Sequence, residues 1–170
     1  MVTERELYIA IEEFATKISN QQLGLVYCKP DNNSSPTMCI ENVKRYVKKN
    51  GGAEKYGWTF HHRYSSEFGD YLFATHHSVW YAQNGNLIDI TPFHDDPKHH
   101  PMRIEGSVMF LLDDSALPIK RDKYLIPRPL KYYAIGKSKE LLGYMETLRA
   151  KEAKHYKESY GIVLKFKDLR

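Results

Sequence analysis

Cys39, His77 and Asp89 are the residues of this 170-residue chain whose types and order could do chemistry together. A thiol attacks a carbonyl as its thiolate, and an imidazole can take the thiol proton and later return it to a leaving group. A carboxylate on the far ring nitrogen fixes the tautomer and stabilises the imidazolium. Of the two cysteines, Cys28 and Cys39, Cys39 is the better nucleophile. It opens the helical stretch "PTMCIENVKRYVKKNGG", where unpaired N–H groups and the positive dipole end favour an anion.

His77 and Asp89 both fall in "THHSVWYAQNGNLIDITP", read as two strands joined by a turn. A two-residue Asn84–Gly85 turn would set Asp89 opposite Trp80, about 13 Å from His76 along the strand at 3.3 Å per residue, out of hydrogen-bond reach. A three-residue Gln83–Asn84–Gly85 loop, with Gly85 left-handed, pairs Ala82 with Asn86 and sets Asp89 opposite Val79. His77 is then its diagonal neighbour, ~7–8 Å away at the backbone and within combined side-chain reach. The chemistry therefore selects His77 and a particular turn. His76 points to the other face, expected toward solvent.

The elements that must hold these residues can be read from pattern. "TERELYIAIEEFATKIS" is an amphipathic helix with Leu7, Ile11, Phe14 and Ile18 in register, Thr3 as N-cap and Glu6 three residues on. A turn-rich stretch from Pro30 to Pro36 leads to a second helix with Cys39, Val43, Tyr46 and Val47 on one stripe, stopped by Gly51–Gly52. Two aromatic strands follow, separated by Ser65, Ser66, Gly69 and Asp70, with "NLIDITP" a third and "SVMFLLDD" another. "FHDDPKHHPMRIEG" is an irregular loop whose histidines are expected to be solvated, and "ALPIKRDKYLIPRPLKYYAIG" is extended and broken by prolines. A charged final helix places Leu141, Leu142, Met145 and Leu148 inward, followed by a strand-like "IVLKF". Helices and strands in separate runs predict an α+β fold rather than a doubly wound parallel sheet.

Composition bounds the function. One domain over residues 1–170 is expected, with a sizeable core. Twenty-five basic against 21 acidic residues, net +4, is too even for a nucleic-acid surface without clustering. No apolar run approaches the ~18–20 residues that span a bilayer, and the opening "MVTERELYIAIEEF" is charged. A cytoplasmic protein without a membrane partner is expected. Two cysteines build no disulfide framework.

The stretch from Pro36 to Pro92, "PTMCIENVKRYVKKNGGAEKYGW" followed by "THHSVWYAQNGNLIDITP", resembles the transglutaminase-like branch of the papain-type cysteine hydrolases. There a cysteine opens a helix, a histidine precedes a tryptophan on a strand, and an aspartate begins a D-x-T strand end. The resemblance implies a papain-like (transglutaminase-like) fold, with the nucleophile helix packed on an antiparallel sheet. It implies Cys39 as nucleophile, His77 as general base and Asp89 as orienting carboxylate. The reaction would be hydrolysis or acyl transfer at an amide-type bond of a peptide, protein or other amide substrate, through a thioester and without a cofactor. Oxyanion donors would be the Cys39 N–H plus an accessory group, for which Gln22, Gln21, Trp58 and Trp80 stand nearest in type.

Two other classes compete. Zinc could bind among His61–His62, His76–His77, His94 with Asp95 and Asp96, and His99–His100, but adjacent strand histidines point apart and no CxxC or HExxH spacing occurs. A non-enzymatic module could bind an acidic partner or nucleic acid through Lys120, Arg121, Lys123, Arg128 and Lys131 with Tyr124 and Tyr132. Asn42, one turn after Cys39, could hydrogen-bond near the site but reads first as a polar helix-surface residue.

Overall fold

The computed structural model describes residues 2–169 and is mixed α+β. Its elements are α1 (Glu4–Ile18), β1 (Leu23–Cys28), α2 (Cys39–Asn50), β2 (Ala53–Ser65), β3 (Gly69–Tyr81), β4 (Leu87–Asp89), β5 (Arg103–Ile104), β6 (Ser107–Leu112), β7 (Ile119–Arg121), β8 (Tyr124–Ile126), β9 (Lys131–Ala134) and α3 (Lys139–Tyr160). Short 3₁₀ turns lie at Pro97–His99 and Phe166–Asp168. Among the described residues no helix is long and apolar enough to cross a membrane.

By contact density the chain falls into two compact units, which share the long strands β2 and β3. The first comprises Met1–Asn20, Phe60–Thr75 and Arg128–Arg170. Thr3 accepts from the Glu6 N–H while the Glu6 carboxylate accepts from Thr3, a reciprocal capping box that starts α1 where the sequence places it. Phe14 then meets Phe60 edge-on and stacks on Tyr133 at 5.2 Å, joining α1 to β2 and β9. From α3, Leu141 and Met145 are buried, but Leu142 is 48% exposed, contrary to the sequence reading. Stepping from 141 to 145 and 148 follows one helical stripe, and 142 lies a hundred degrees off it. "IVLKF" forms no strand either. Gly161 adopts a left-handed cap, and the Ile162 N–H is captured by the Tyr156 carbonyl. The Lys165 N–H goes to Asp168, so local bonds consume donors that a ladder would need.

The second unit comprises Gln21–Thr59 and His76–Pro127. Its pairings close on themselves in the order β1-β4-β3-β2-β6 and back to β1. β1 with β6, β2 with β6 and β3 with β4 are antiparallel, whereas β1 and β4 run parallel with Cys28 aligned to Asp89. Closure leaves no open edge on β1 or β6 along this ring. Val26, Val79, Val108 and Phe110 form its buried cluster. Gly57 is required here, because a Cβ would lie 2.0 Å from the Leu111 carbonyl oxygen and 2.6 Å from the Phe110 ring. The proline-broken stretch resolves into a β7–β8 hairpin in this unit and β9 in the other.

Candidate active site

The turn after β3 decides the geometry. Tyr81 faces Leu87 and Trp80 faces Ile88. The Ala82 N–H donates to Asn86 at 2.9 Å and the Gly85 N–H to Ala82 at 2.9 Å. The loop is therefore Gln83–Asn84–Gly85, with Gly85 at φ 85°, and the register sets Asp89 across from Val79. His77 is the diagonal neighbour. Its Nε2 and Asp89 Oδ2 are 2.9 Å apart, the ring nitrogen donating to the carboxylate. Asp89 is 2% exposed, so the interaction is shielded from solvent.

Cys39 is the first residue of α2, behind Met38, whose side chain makes no capping bond. The N–H of a first helical residue has no intrahelical acceptor and stays directed at whatever stands before the helix. Cys39 stands near enough to His77 to raise its proton affinity. Asp89 takes Nε2, which leaves Nδ1 as the other ring nitrogen. Burial alone would lower the affinity of His77 for a proton; the charge of Asp89, then that of Cys39, and hydrogen bonds to both raise it well above the ordinary value of 6.5. The other thiol is disfavoured. Cys28 is pushed up to about 11 by its burial and then by the charge of Asp89, its neighbour across the parallel pair.

Two features that hold the site escape the sequence reading. Asn42 is 1% exposed rather than on the helix surface. Its Oδ1 accepts from the Ser35 N–H at 3.1 Å, and its Nδ2 donates to the Ser35 carbonyl at 2.8 Å and to Thr91 Oγ1 at 3.3 Å. The Thr91 N–H in turn donates to Asp89 Oδ1 at 3.0 Å. The helix bearing Cys39 is thus tied through Asn42 and Thr91 to the second oxygen of the carboxylate on His77. An aspartate bonding the N–H two residues on is an Asx turn, for which D-x-T was the available signal. Asn42 sits three residues after Cys39 on the same side of α2, and only its partners reveal it.

The second feature is the turn into α2. The Met38 N–H reaches the Ser35 carbonyl at 3.4 Å, with Pro36 and then Thr37 in the corner positions. Thr37 has φ 66°. This is the type II pattern, with proline first and positive φ second, but with a β-branched residue where glycine is usual. The strain lies two residues before the thiol.

The accessory candidates are placed differently from expectation. The Trp58 indole N–H donates to Asp113 Oδ2 at 3.0 Å, and that of Trp80 to the Gly51 carbonyl at 2.9 Å. Trp80 also meets Tyr46 edge-on at 4.9 Å, so it fastens the end of α2. Gln21 exchanges bonds with Asp114, while Gln22 is exposed and its carbonyl pairs with the Leu112 N–H. None of the four is brought to Cys39 by these bonds.

His76 faces away from His77 as alternation requires, yet it is 6% exposed rather than solvated. Its Nε2 donates to the Ala116 carbonyl at 2.6 Å and its ring stacks on Tyr56, because the 113–116 loop covers that face. His100 is likewise drawn in, donating to the His94 carbonyl at 2.6 Å beside Phe93. His61 and His62 bond Thr75 and Asp70 respectively. Among the described residues no group of three or more His, Cys, Asp or Glu side chains is arranged to hold a metal ion. Lys120, Arg121 and Lys123 lie exposed on the β7–β8 hairpin.

In comparisons with family models, curated proteins and solved structures, nothing matches this chain.

Proposed function

We propose that the chain is a thiol-dependent hydrolase or acyltransferase acting on an amide-type bond, with a papain-like, transglutaminase-like arrangement of its second unit. The observation that carries this reading is the buried bond from His77 Nε2 to Asp89 at 2.9 Å, with Cys39 near enough to raise the proton affinity of that imidazole. The raised proton affinity of His77 suits it to take the thiol proton.

In the proposed reaction Cys39 Sγ attacks the carbonyl carbon, forming a C–S bond while the carbonyl electron pair moves onto oxygen. The Cys39 N–H at the start of α2 is positioned to stabilise that oxyanion. Collapse breaks the C–N bond, and the departing amine takes the proton held on His77 Nδ1. A thioester remains. Water, or an acceptor amine, then attacks it and gives its proton to His77, and the C–S bond breaks to regenerate the thiolate. Asp89 keeps its bond to Nε2 throughout and balances the charge that appears on the ring. Water as acceptor gives hydrolysis or deamidation, and an amine gives acyl transfer.

The test is competitive alkylation with limiting iodoacetamide, read by peptide mass spectrometry. Cys39 is expected to be modified well before Cys28, and His77→Ala to abolish the preference. Equal rates at the two thiols, or a preference that survives His77→Ala, would refute the assignment.

A further inference from the structure

We propose a second binding site, separate from the acyl-transfer reading: a cleft of about 910 Å³ in the first unit that takes a small amphiphilic anion, a carboxylate, sulfate or phosphate carried on an apolar body. The volume is in the range of small-molecule sites, about 300–1,000 Å³.

The cleft lies between the last turns of α1 and the first turns of α3, along β9. Its inner wall is apolar and rigid. Phe14 and Met145 are buried, Phe14 is stacked on Tyr133 at 5.2 Å, and Ile18 and Leu142 extend the apolar lining. Leu142 is the inward-expected residue found 48% exposed. It faces this space, which gives a reason for a large aliphatic side chain to be left in water.

The charged groups at the cleft divide into two sets. Arg149 is already committed, its guanidinium donating to Glu146 at 2.7 Å and to the Tyr132 carbonyl at 2.8 Å. Glu13 accepts from the Tyr133 hydroxyl at 2.6 Å. The remaining lining charges are Lys17, Lys137 and Lys139, and among the described residues no carboxylate pairs with any of them. All three are exposed, and Lys17 is held 4.5 Å over the Tyr133 ring. Three cations at the rim of an apolar wall are complementary to an anionic head on a greasy body. A neutral apolar ligand would leave that charge unused, and a polar anion would leave Leu142 and the aromatic wall unused.

Gly143 lines the same cleft, and a Cβ added there meets nothing within 4 Å. It therefore accepts a large side chain without backbone strain, and any residue but proline is a better helix former than glycine. Gly143→Phe should fill the cleft from a folded helix.

The test uses the whole chain and the fluorescent anilinonaphthalene sulfonate dye, with folding verified by circular dichroism. Saturable, salt-sensitive binding is expected, displaced by octanoate, octyl sulfate or octyl phosphate but not by octanol; the best of the three identifies the head group. Replacing Lys17, Lys137 and Lys139 together by glutamate should weaken dye binding about tenfold or more, since each exposed pair contributes up to about fivefold. Gly143→Phe should remove the saturable phase. Absence of that phase in the wild-type chain, persistence of it in Gly143→Phe, indifference to the lysines, or equal displacement by octanol would each overturn the proposal.

Discussion

Asp89 is the diagonal neighbour of His77 across an antiparallel pair, two residues from the facing position, and its two oxygens have separate duties: Oδ2 accepts from His77 Nε2 at 2.9 Å and Oδ1 from the Thr91 N–H at 3.0 Å. A carboxylate held at both oxygens cannot swing away from the ring. This is the geometry that an orienting carboxylate needs, and it depends on a three-residue turn.

Shortening that turn should therefore disable the site while sparing most of the fold. Deleting Gln83 leaves a two-residue Asn84–Gly85 loop, and slipping the register by one residue turns the facing side chain to the opposite face. Cys39 alkylation is expected to fall to the rate of the His77→Ala protein. Retention of the wild-type rate would mean that the turn does not control the pairing.

Loss of the carboxylate alone should be milder than loss of the base. Asp89→Asn keeps an acceptor for Thr91 but no charge for the imidazolium, and Cys39 alkylation near pH 6 should drop on the order of tenfold as His77 becomes a weaker proton acceptor. His77→Ala should drop it further. If the two variants rank in the reverse order, Asp89 has some role other than supporting His77.

The pH dependence of stability has a definite sign. Folding raises His77 well above 6.5 through Asp89 and Cys39, which outweigh the opposing effect of burial. A group whose folded value lies above its unfolded one contributes stability in full below the unfolded value, about 6.5, and loses it as pH rises through the folded one. The urea-unfolding free energy of the wild-type chain, relative to His77→Gln, should be greatest on the acid side of neutrality and decline with alkalinity. A constant difference across that range would contradict the ion-pair description.

Asn42→Leu should destabilise by about 1–3 kcal/mol, because the Ser35 amide and the Thr91 hydroxyl lose a buried partner. A structural role alone would stop there. If Asn42 also positions Asp89 through Thr91, the pH profile of Cys39 alkylation shifts in the variant under conditions where it is fully folded, and Asn42→Asp, which retains the acceptor for the Ser35 N–H, recovers part of the shift. An unshifted profile in folded Asn42→Leu would limit Asn42 to packing.

Thr37→Gly should stabilise the chain by about 0.5–1 kcal/mol. Relief of a left-handed non-glycine conformation is worth about 1–2 kcal/mol, less the extra backbone entropy that glycine loses on folding. Chemical denaturation reads the effect directly. A lowered unfolding midpoint would show that the Thr37 side chain contributes more than its backbone strain costs.

The local elements were legible because their signals are local. The Thr3–Glu6 box, the Gly51 stop and the Ser65–Asp70 turn act through neighbouring backbone groups, and each appears where the pattern placed it. The strand alternation that separates His76 from His77 is equally local, and so is the glycine that permits a left-handed turn residue at position 85. Misreadings arose where a distant segment intervened. Covering by the 113–116 loop turned a supposed solvent-facing His76 into a buried donor, and Asp113 claimed the Trp58 indole. The Gly161 cap took the donors that a final strand would have used.

The sequence by itself determined which residue types can serve as nucleophile, base and orienting carboxylate, on which elements they lie, and on which face each strand side chain stands. These follow from the helical and strand periods and from turn chemistry, all of which act over a few residues. Only the tertiary structure decided that Asn42 and Thr91 join the thiol's helix to the carboxylate, that Cys28 is held above its ordinary range beside Asp89, and that Leu142 faces a cleft. Those relations join residues up to 61 positions apart, as with Cys28 and Asp89, and no short-range propensity encodes them. They exist because burying the apolar faces closes the strands on one another, and closure determines which polar groups must find partners in the interior.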